Sequence, residues 1–248
     1  MSIYKHPLNK NVLDAATERI TWTLENLSRV CVSFSGGKDS TIMLHLTARQ
    51  ARKMGKKICL LFIDWEAQFT CTIQHVNNMI AQYADVIEKS WWVALPLTTQ
   101  NSLSQFQPEW QCWEPGKTWV RTPPEEAVTD PDYFNFYQPG MTFEDFVRAF
   151  SDWFARSRPA AIMIGIRADE SYNRFLTIAN ARKQRFADDK PWTTVAPGGH
   201  AWYIYPLYDW KTADIWTWFA KTGGCYNPLY DLMFQAGVPP RYMRICEP

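Results

Sequence analysis

The 248-residue sequence has no run of about 18 uninterrupted apolar residues, so no segment of it predicts a membrane span. Residues 1–11 lack the apolar core of a signal peptide, and the expected compartment is cytoplasmic. Charge of one sign is also lacking. Lys plus Arg exceed Asp plus Glu by 26 − 25 = 1, which excludes a general polyanion-coating protein and leaves nucleic acid as a target only through a partner. None of the six cysteines is spaced as C-x-x-C, and no histidine lies at zinc-finger distance from a cysteine pair. This excludes the common zinc motifs and an iron–sulfur centre, and leaves buried or free thiols. Internal repeats and low-complexity tracts are absent as well.

What is present is a globular composition, 46% apolar and 21% charged, with an excess of tryptophan. Of 13 Trp, six crowd the middle of the chain: Trp91, Trp92, Trp110, Trp113, Trp119 and Trp153. Packing accounts for most such rings, and a stacking or partner surface for others.

Periodicity orders the chain. Val12, Ala16, Ile20, Leu24 and Leu27 predict an amphipathic helix over residues 11–27, and 29–34 is a short β-branched strand. A helix follows from Asp39 to a stop at Gly55, then a strand at 57–63, a helix at 70–83 and a strand at 86–95. Alternating strand and helix is the pattern of a doubly wound, mostly parallel α/β sheet, a Rossmann-like arrangement. Residues 96–140 break the rhythm with seven prolines and scattered aromatics, and read as an insertion serving as a lid or docking surface within one domain spanning 1–248. Beyond it the pattern predicts a helix at 142–157 capped by Thr142, a strand at 160–166 and a helix at 170–186. A strand at 200–207 and a helix at 212–221 complete it.

Between the first strand and its helix lies Ser33-Phe34-Ser35-Gly36-Gly37-Lys38-Asp39-Ser40. Two glycines permit a tight turn and close backbone approach to a ligand. Successive amides at a helix N-terminus form an anion nest, to which Lys38 adds a charge and Ser35 and Ser40 add hydroxyls. It is not a Walker A loop: Lys38 is followed by Asp39, and valine rather than glycine stands at position 32. The plainer alternative is a glycine turn that merely joins strand to helix. Asp64, at the carboxyl end of the next parallel strand, sits where α/β sheets bind ligands. In Ile164-Gly165-Ile166-Arg167, Gly165 permits close approach, and Arg167 and Arg174 can fork onto phosphate oxygens or form surface ion pairs with Asp169 or Glu170.

The Ser35–Ser40 segment resembles the PP-loop of the adenine nucleotide α-hydrolase-like superfamily, which includes ATP pyrophosphatases, ATP sulfurylase small subunits and phosphoadenosine-phosphosulfate (PAPS) reductases. Phe62-Ile63-Asp64-Trp65-Glu66 resembles the acidic strand end beside the adenosine in that group, with Trp65-Glu66 where the family carries Thr-Gly. Gly165, Arg167, Ser171 and Arg174 look like its G-x-R…S-x-x-R segment. Pro206-Leu207-Tyr208-Asp209-Trp210, Asp214-Ile215-Trp216 and Pro228-Leu229-Tyr230 look like its P-L-x-D-W…D-x-W…P-L-Y pattern, whose bland reading is packing. Gln111-Cys112-Trp113-Glu114 and Trp119-Val120-Arg121 are similar to a PAPS-reductase-like subgroup of phages and enterobacterial genomic islands, encoded beside a ParB-like protein and usually longer than this chain.

The resemblance implies binding of an adenine nucleotide through Ser33, Ser35, Gly36, Gly37, Lys38, Asp39, Ser40, Asp64, Gly165 and Arg167. It further implies ATP and Mg²⁺ as cofactors, with Asp39 or Asp64 as metal ligands, and catalysis by Lys38, Arg167 and Arg174. PAPS reductases use a cysteine in a Glu-Cys-Gly-x-His segment, which this sequence lacks: Cys246 precedes Glu247-Pro248, and Cys225 lies between Gly224 and Tyr226. The expected reaction is therefore cleavage of ATP between its α- and β-phosphates to activate an acceptor. The alternatives are a sulfonucleotide reductase-like protein, or a non-catalytic nucleotide sensor acting with a ParB-like partner.

Overall fold

The computed structural model describes residues 9–101, 104–156, 158–179, 183–187 and 189–245. Its first strand, β1 (Arg29–Ser33), is the centre of a six-stranded sheet. β2 (Ile58–Ile63) and β3 (Ile87–Val93) lie on one side of it in parallel. On the other side come β6 (Ala160–Ile164) and β8 (Ala201–Ile204), also parallel, and then β7 (Thr193–Val195), antiparallel at the edge. The order β3-β2-β1-β6-β8-β7 reverses direction at β1 and β6. Such a reversal opens a crevice at the carboxyl ends of the strands, where α/β folds bind ligands. The fold is the expected doubly wound, mostly parallel α/β sheet.

Each face of the sheet carries its own core. Val30, Val32, Leu60 and Phe62 point to the first, covered by helices α1 (Val12–Asn26), α2 (Lys38–Lys53), α3 (Thr70–Gln82) and α6 (Thr212–Thr222). Asn11 caps α1 through Asp14 N at 2.9 Å. α2 is buried nearly all round, Ile42, Met43, Leu44, Leu46, Ala48 and Ala51 together with Thr41, His45 and Thr47, because other helices and the sheet enclose it. Among the described residues no helix is long and apolar enough to cross a membrane.

Cys31, Cys59, Leu61 and Ile162 point to the second face, where Trp65, Trp91 and Trp113 are buried, while Trp92 joins the first core and Trp119 is exposed. Helix α4 (Phe143–Ala155), with Thr142 as the expected cap, lays Phe146, Phe150 and Phe154 against Trp91 and Phe134. Part of the 96–140 insertion is thus core rather than lid. The short hairpin β4 (Thr98–Gln100) and β5 (Glu109–Gln111) opens it, and Val128 N donates to Trp92 O at 2.7 Å beside the outer strand β3. That contact covers an edge that would otherwise expose unpaired backbone groups.

One expectation needs correction. The helix expected over 170–186 is α5 (Tyr172–Ala179), and residues 183–187 are not helical. Residues 180–182, which include Arg182, lie outside the described residues, as does Cys246. The guanidinium of Arg185 donates to the carbonyls of Pro191 and Thr193, and Val195 N donates to Gln184 O, so this stretch is spent holding the edge strand. β7 itself went unpredicted, as did helix α7 (Leu229–Gln235).

Candidate nucleotide site

The loop leaves β1 with Phe34 N bound to Leu61 O at 2.8 Å, then turns at Gly36, whose φ is +74°. α2 begins at Lys38 with Gly37 as its N-cap and no side chain capping it. Unpaired amides at a helix start are the anion-binding groups of the nest. Lys38 N donates to Tyr230 Oη at 3.0 Å. Among the described residues, the amides of Gly36, Asp39 and Ser40 have no acceptor. Ser40 Oγ bonds Gly37 O at 3.0 Å and Ser35 Oγ at 3.1 Å, stapling the loop to the first turn.

Packing from behind sets this shape. A Cβ on Gly36 would meet Thr72 Cγ2 at 3.0 Å, and Asn227 Nδ2 bridges Gly36 O and Thr72 Oγ1 at 3.3 and 2.8 Å. Thr41 Oγ1 is hydrogen bonded to His75 Nε2 at 2.9 Å, and burial holds the His75 pKa down to about 4, keeping the ring neutral beneath the nest. Gly165 serves a different approach from the one expected. A Cβ there would lie 3.0 Å from Ser40 N and Cα, so this glycine admits the first turn of α2 onto the end of β6. Ser33 sits at the end of β1, in register with Leu61 and Ile164.

The charged side chains form a buried chain. Asp39 accepts from Lys38 Nζ at 3.0 Å and from Arg167 Nε at 2.5 Å, with the Lys38 side chain 4% and the Arg167 side chain 2% exposed. Arg167 also reaches Glu170 Oε1 at 3.9 Å and the Trp210 carbonyl at 3.5 Å. Asp39 thereby parks both cations beside the nest, where an arriving oxyanion would compete for them. Arg174 is not brought in: its side chain, 44% exposed, pairs with Glu170 at 2.6 Å, the ion-pair alternative for that residue. Sequence reasoning missed Tyr230, assigning its P-L-Y segment to packing. Burial raises the Tyr230 phenol well above its ordinary pKa, keeping it protonated at the nest.

Asp64 has another job. It is fully buried, and its carboxylate accepts from Trp92 Nε1 at 2.7 Å, from Glu66 N at 2.9 Å and from Arg121. Glu66 accepts from Trp113 N at 2.6 Å and Val120 N at 2.9 Å, and Trp113 Nε1 donates to Asp64 O at 2.6 Å. Asp64 and Glu66 therefore latch insertion residues 113–121 onto the end of β2, the strand beside the nest. Glu66 adopts φ +61°, a left-handed conformation natural to the glycine that the family carries there. Both oxygens of Asp39 and of Asp64 are engaged by protein donors, so either carboxylate would meet Mg²⁺ in competition with those donors, and no group of three or more His, Cys, Asp or Glu side chains among the described residues could hold a metal ion.

The latch predicts a proteolytic phenotype. Glu66→Gln places an amide NH₂ where a carboxylate oxygen met a backbone donor, losing about 1–2 kcal/mol of local stability. Trypsin cleavage after Lys117 or Arg121 in the native protein is expected to quicken about tenfold, since cleavage tracks local opening. An unchanged rate would show that the latch does not hold the insertion.

Comparison with known proteins places this geometry. Residues 29–236 match the model of the phosphoadenosine phosphosulfate reductase domain. The chain is 73% identical over 248 residues to the uncharacterized protein YbdN of Escherichia coli K12, covering 100% of this chain and 61% of that protein. It is 26% identical over 223 residues to the uncharacterized protein MJ0066 of Methanocaldococcus jannaschii, covering 86% of this chain and 36% of that one. The chain thus spans less than two thirds of the length of these curated relatives. Among solved structures, a phosphate complex of the PAPS reductase of Candida auris superposes with a TM-score of 0.54 at 17% identity, covering 100% of this chain and 98% of that one, a likeness of fold.

Proposed function

The chain belongs to the phosphoadenosine phosphosulfate reductase domain family, and from that premise we propose that it binds ATP in the Ser35–Ser40 loop and cleaves it between the α- and β-phosphates to activate an acceptor. The observation that carries the reading is the set of acceptor-free amides at Gly36, Asp39 and Ser40, flanked by the buried cations Lys38 and Arg167. The oxygen of an acceptor attacks the α-phosphorus and loses its proton to solvent. The bond from that phosphorus to the bridging oxygen breaks, and pyrophosphate leaves with the electron pair. The loop amides and Lys38 hold the leaving group, and Arg167 neutralises charge on the α-phosphoryl oxygens. The Tyr230 hydroxyl is a further neutral donor at the same place.

Sulfonucleotide reduction needs an activated thiolate, and burial works against one at four of the five described cysteines. Burial pushes Cys59 to about 11 and Cys112 to about 12, and raises Cys31 and Cys225 as well. The test is product analysis of ATP incubated with Mg²⁺ and the protein, with candidate acceptors added. AMP or an adenylylated acceptor plus pyrophosphate is expected. Lys38→Ala should lower the rate by about 10²–10³, the effect of deleting one preorganised donor to developing charge. ADP plus phosphate would refute the cleavage site, and tight binding with no turnover would leave a nucleotide-binding module.

A further inference from the structure

A cavity of about 330 Å³ opens beside the nest, and four cationic side chains line it: Lys38, Arg167, Arg241 and Arg244. The last two belong to a segment beyond residues 29–236, the stretch that matches the family model. That segment leaves α7 at Gly237, turns through a 3-10 helix at Pro240–Tyr242, and is pinned by the buried Met243. Arg244 donates to the backbone carbonyl of Glu170 at 2.6 Å. Two successive prolines, Pro239 and Pro240, restrict the turn and hold both arginines in place.

Charge around the cavity is unbalanced. Of the two carboxylates lining it, Glu170 is already shared by Arg174 and Arg167, and Asp169 is exposed. Among the described residues neither Arg241 nor Arg244 has a carboxylate partner; Arg241 stacks only on the ring of Tyr242, 4.5 Å from its centroid. Thr212, the first residue of α6, also lines the cavity, so the positive ends of α2 and α6 both face it. Convergent guanidinium groups without counter-charges repel one another unless an anion joins them.

We propose that Arg241 and Arg244 form a second oxyanion subsite, contiguous with the loop through Lys38, that takes a tetrahedral phosphate-type group. This rests on the reading of the loop as a nucleotide site. The group is either the terminal phosphate of the nucleotide or the anionic end of the acceptor. A guanidinium fork suits such oxygens, and each one supplies charge-assisted hydrogen bonds.

The test uses the full chain, with Arg241→Gln, Arg244→Gln and the double variant, and titrates inorganic pyrophosphate, ATP and AMP by calorimetry. The double variant is expected to bind pyrophosphate and ATP about 10- to 100-fold more weakly while AMP changes less than twofold, with a shallower salt dependence. Arg241→Gln alone, at an exposed side chain, should weaken pyrophosphate binding without lowering Tm. If ATP is unaffected, inorganic phosphate titrated into the ATP-saturated chain separates the sources: binding lost only in the double variant assigns the subsite to the acceptor. Unchanged affinity for all these ligands, or an equal loss for AMP, overturns the proposal. A wild type that binds pyrophosphate through these arginines but no nucleotide would refute the proposed function and leave the subsite standing.

Discussion

Replacing Gly36 by alanine is expected to abolish nucleotide binding and to lower Tm by about 5–15 °C, more than its single added methyl group would suggest. Two penalties combine. At φ +74° an L-residue costs about 1–2 kcal/mol, and the new Cβ would press on Thr72 Cγ2 at 3.0 Å and Val76 Cγ2 at 3.3 Å. Neither neighbour yields freely, because Thr72 and Val76 are fully buried and Asn227 holds Thr72 Oγ1. Overpacking of this kind costs about 1–3 kcal/mol, and each kcal/mol moves Tm by about 2–4 °C in a chain of this size.

Gly55→Ala separates the two terms. Gly55 has φ +62° with nothing within 4 Å of a built Cβ, so it incurs the backbone penalty alone. A Tm drop of about 2–6 °C with full nucleotide binding is expected there. Adding Thr72→Ser to Gly36→Ala removes the opposing methyl, retains the hydroxyl for Asn227, and should recover part of the lost stability. Binding should stay lost, since the loop must still shift its amides to relieve φ. Thermal denaturation and calorimetry on the four proteins check this, and normal nucleotide affinity in Gly36→Ala would show that the loop is only a connection.

The contrast between these two glycines bears on what a sequence can disclose. Strand, loop and helix at the nest were legible because the signals are local: a β-branched run, two glycines and an apolar period within about 25 residues. β2 and β6 were legible for the same reason, as continuous apolar runs buried on both faces. β7 was not, because three residues centred on two threonines carry no periodicity, and it is the hydrogen bonds to β8 and Gln184 that make it a strand. Residues 183–187 lie outside any helix in keeping with contacts equally remote from the local pattern, the carbonyls of Pro191 and Thr193 that accept from Arg185.

The site divides along the same line. Asp64 was singled out for standing at a strand end, and its position is as expected. Its partners Trp92 and Arg121 lie 28 and 57 residues away, and only the fold discloses that they saturate it. One clue was available for Glu66. A residue standing where a family carries glycine must adopt glycine's conformation or rebuild the turn, and Glu66 adopts it, offset by two backbone amides that its carboxylate accepts. Tyr230 meets Lys38 across 192 residues of chain, a separation no periodicity spans. The aromatic excess of the middle third likewise became intelligible only as a second core layer, with Trp91 and Phe134 packed among the rings of α4.

Arg167→Met is expected to destabilise the protein by about 3–5 kcal/mol and to remove nucleotide binding, and these two effects should be separable. Deleting one partner of a buried ion pair strands the other: Asp39 would keep only Lys38, and Glu170 only Arg174. Methionine fills much of the space of the arginine stem, so the loss is chiefly electrostatic. Removing both charges should then restore part of the stability. Arg167→Met with Asp39→Asn is expected to recover about half of the loss, because a neutral pair avoids the desolvation that each ion carries but leaves the buried Lys38 without its carboxylate. The double variant should still fail to bind ATP, since the oxyanion has lost its guanidinium. Arg167→Lys, which keeps the charge and loses the planar fork, should fall between, with near-normal stability and ATP affinity reduced about tenfold or more. Urea denaturation and ATP titration of these proteins and of the Asp39→Asn single variant give the cycle. If Arg167→Met were as stable as wild type and bound ATP normally, the chain of charges from Lys38 to Glu170 would be incidental to both fold and ligand.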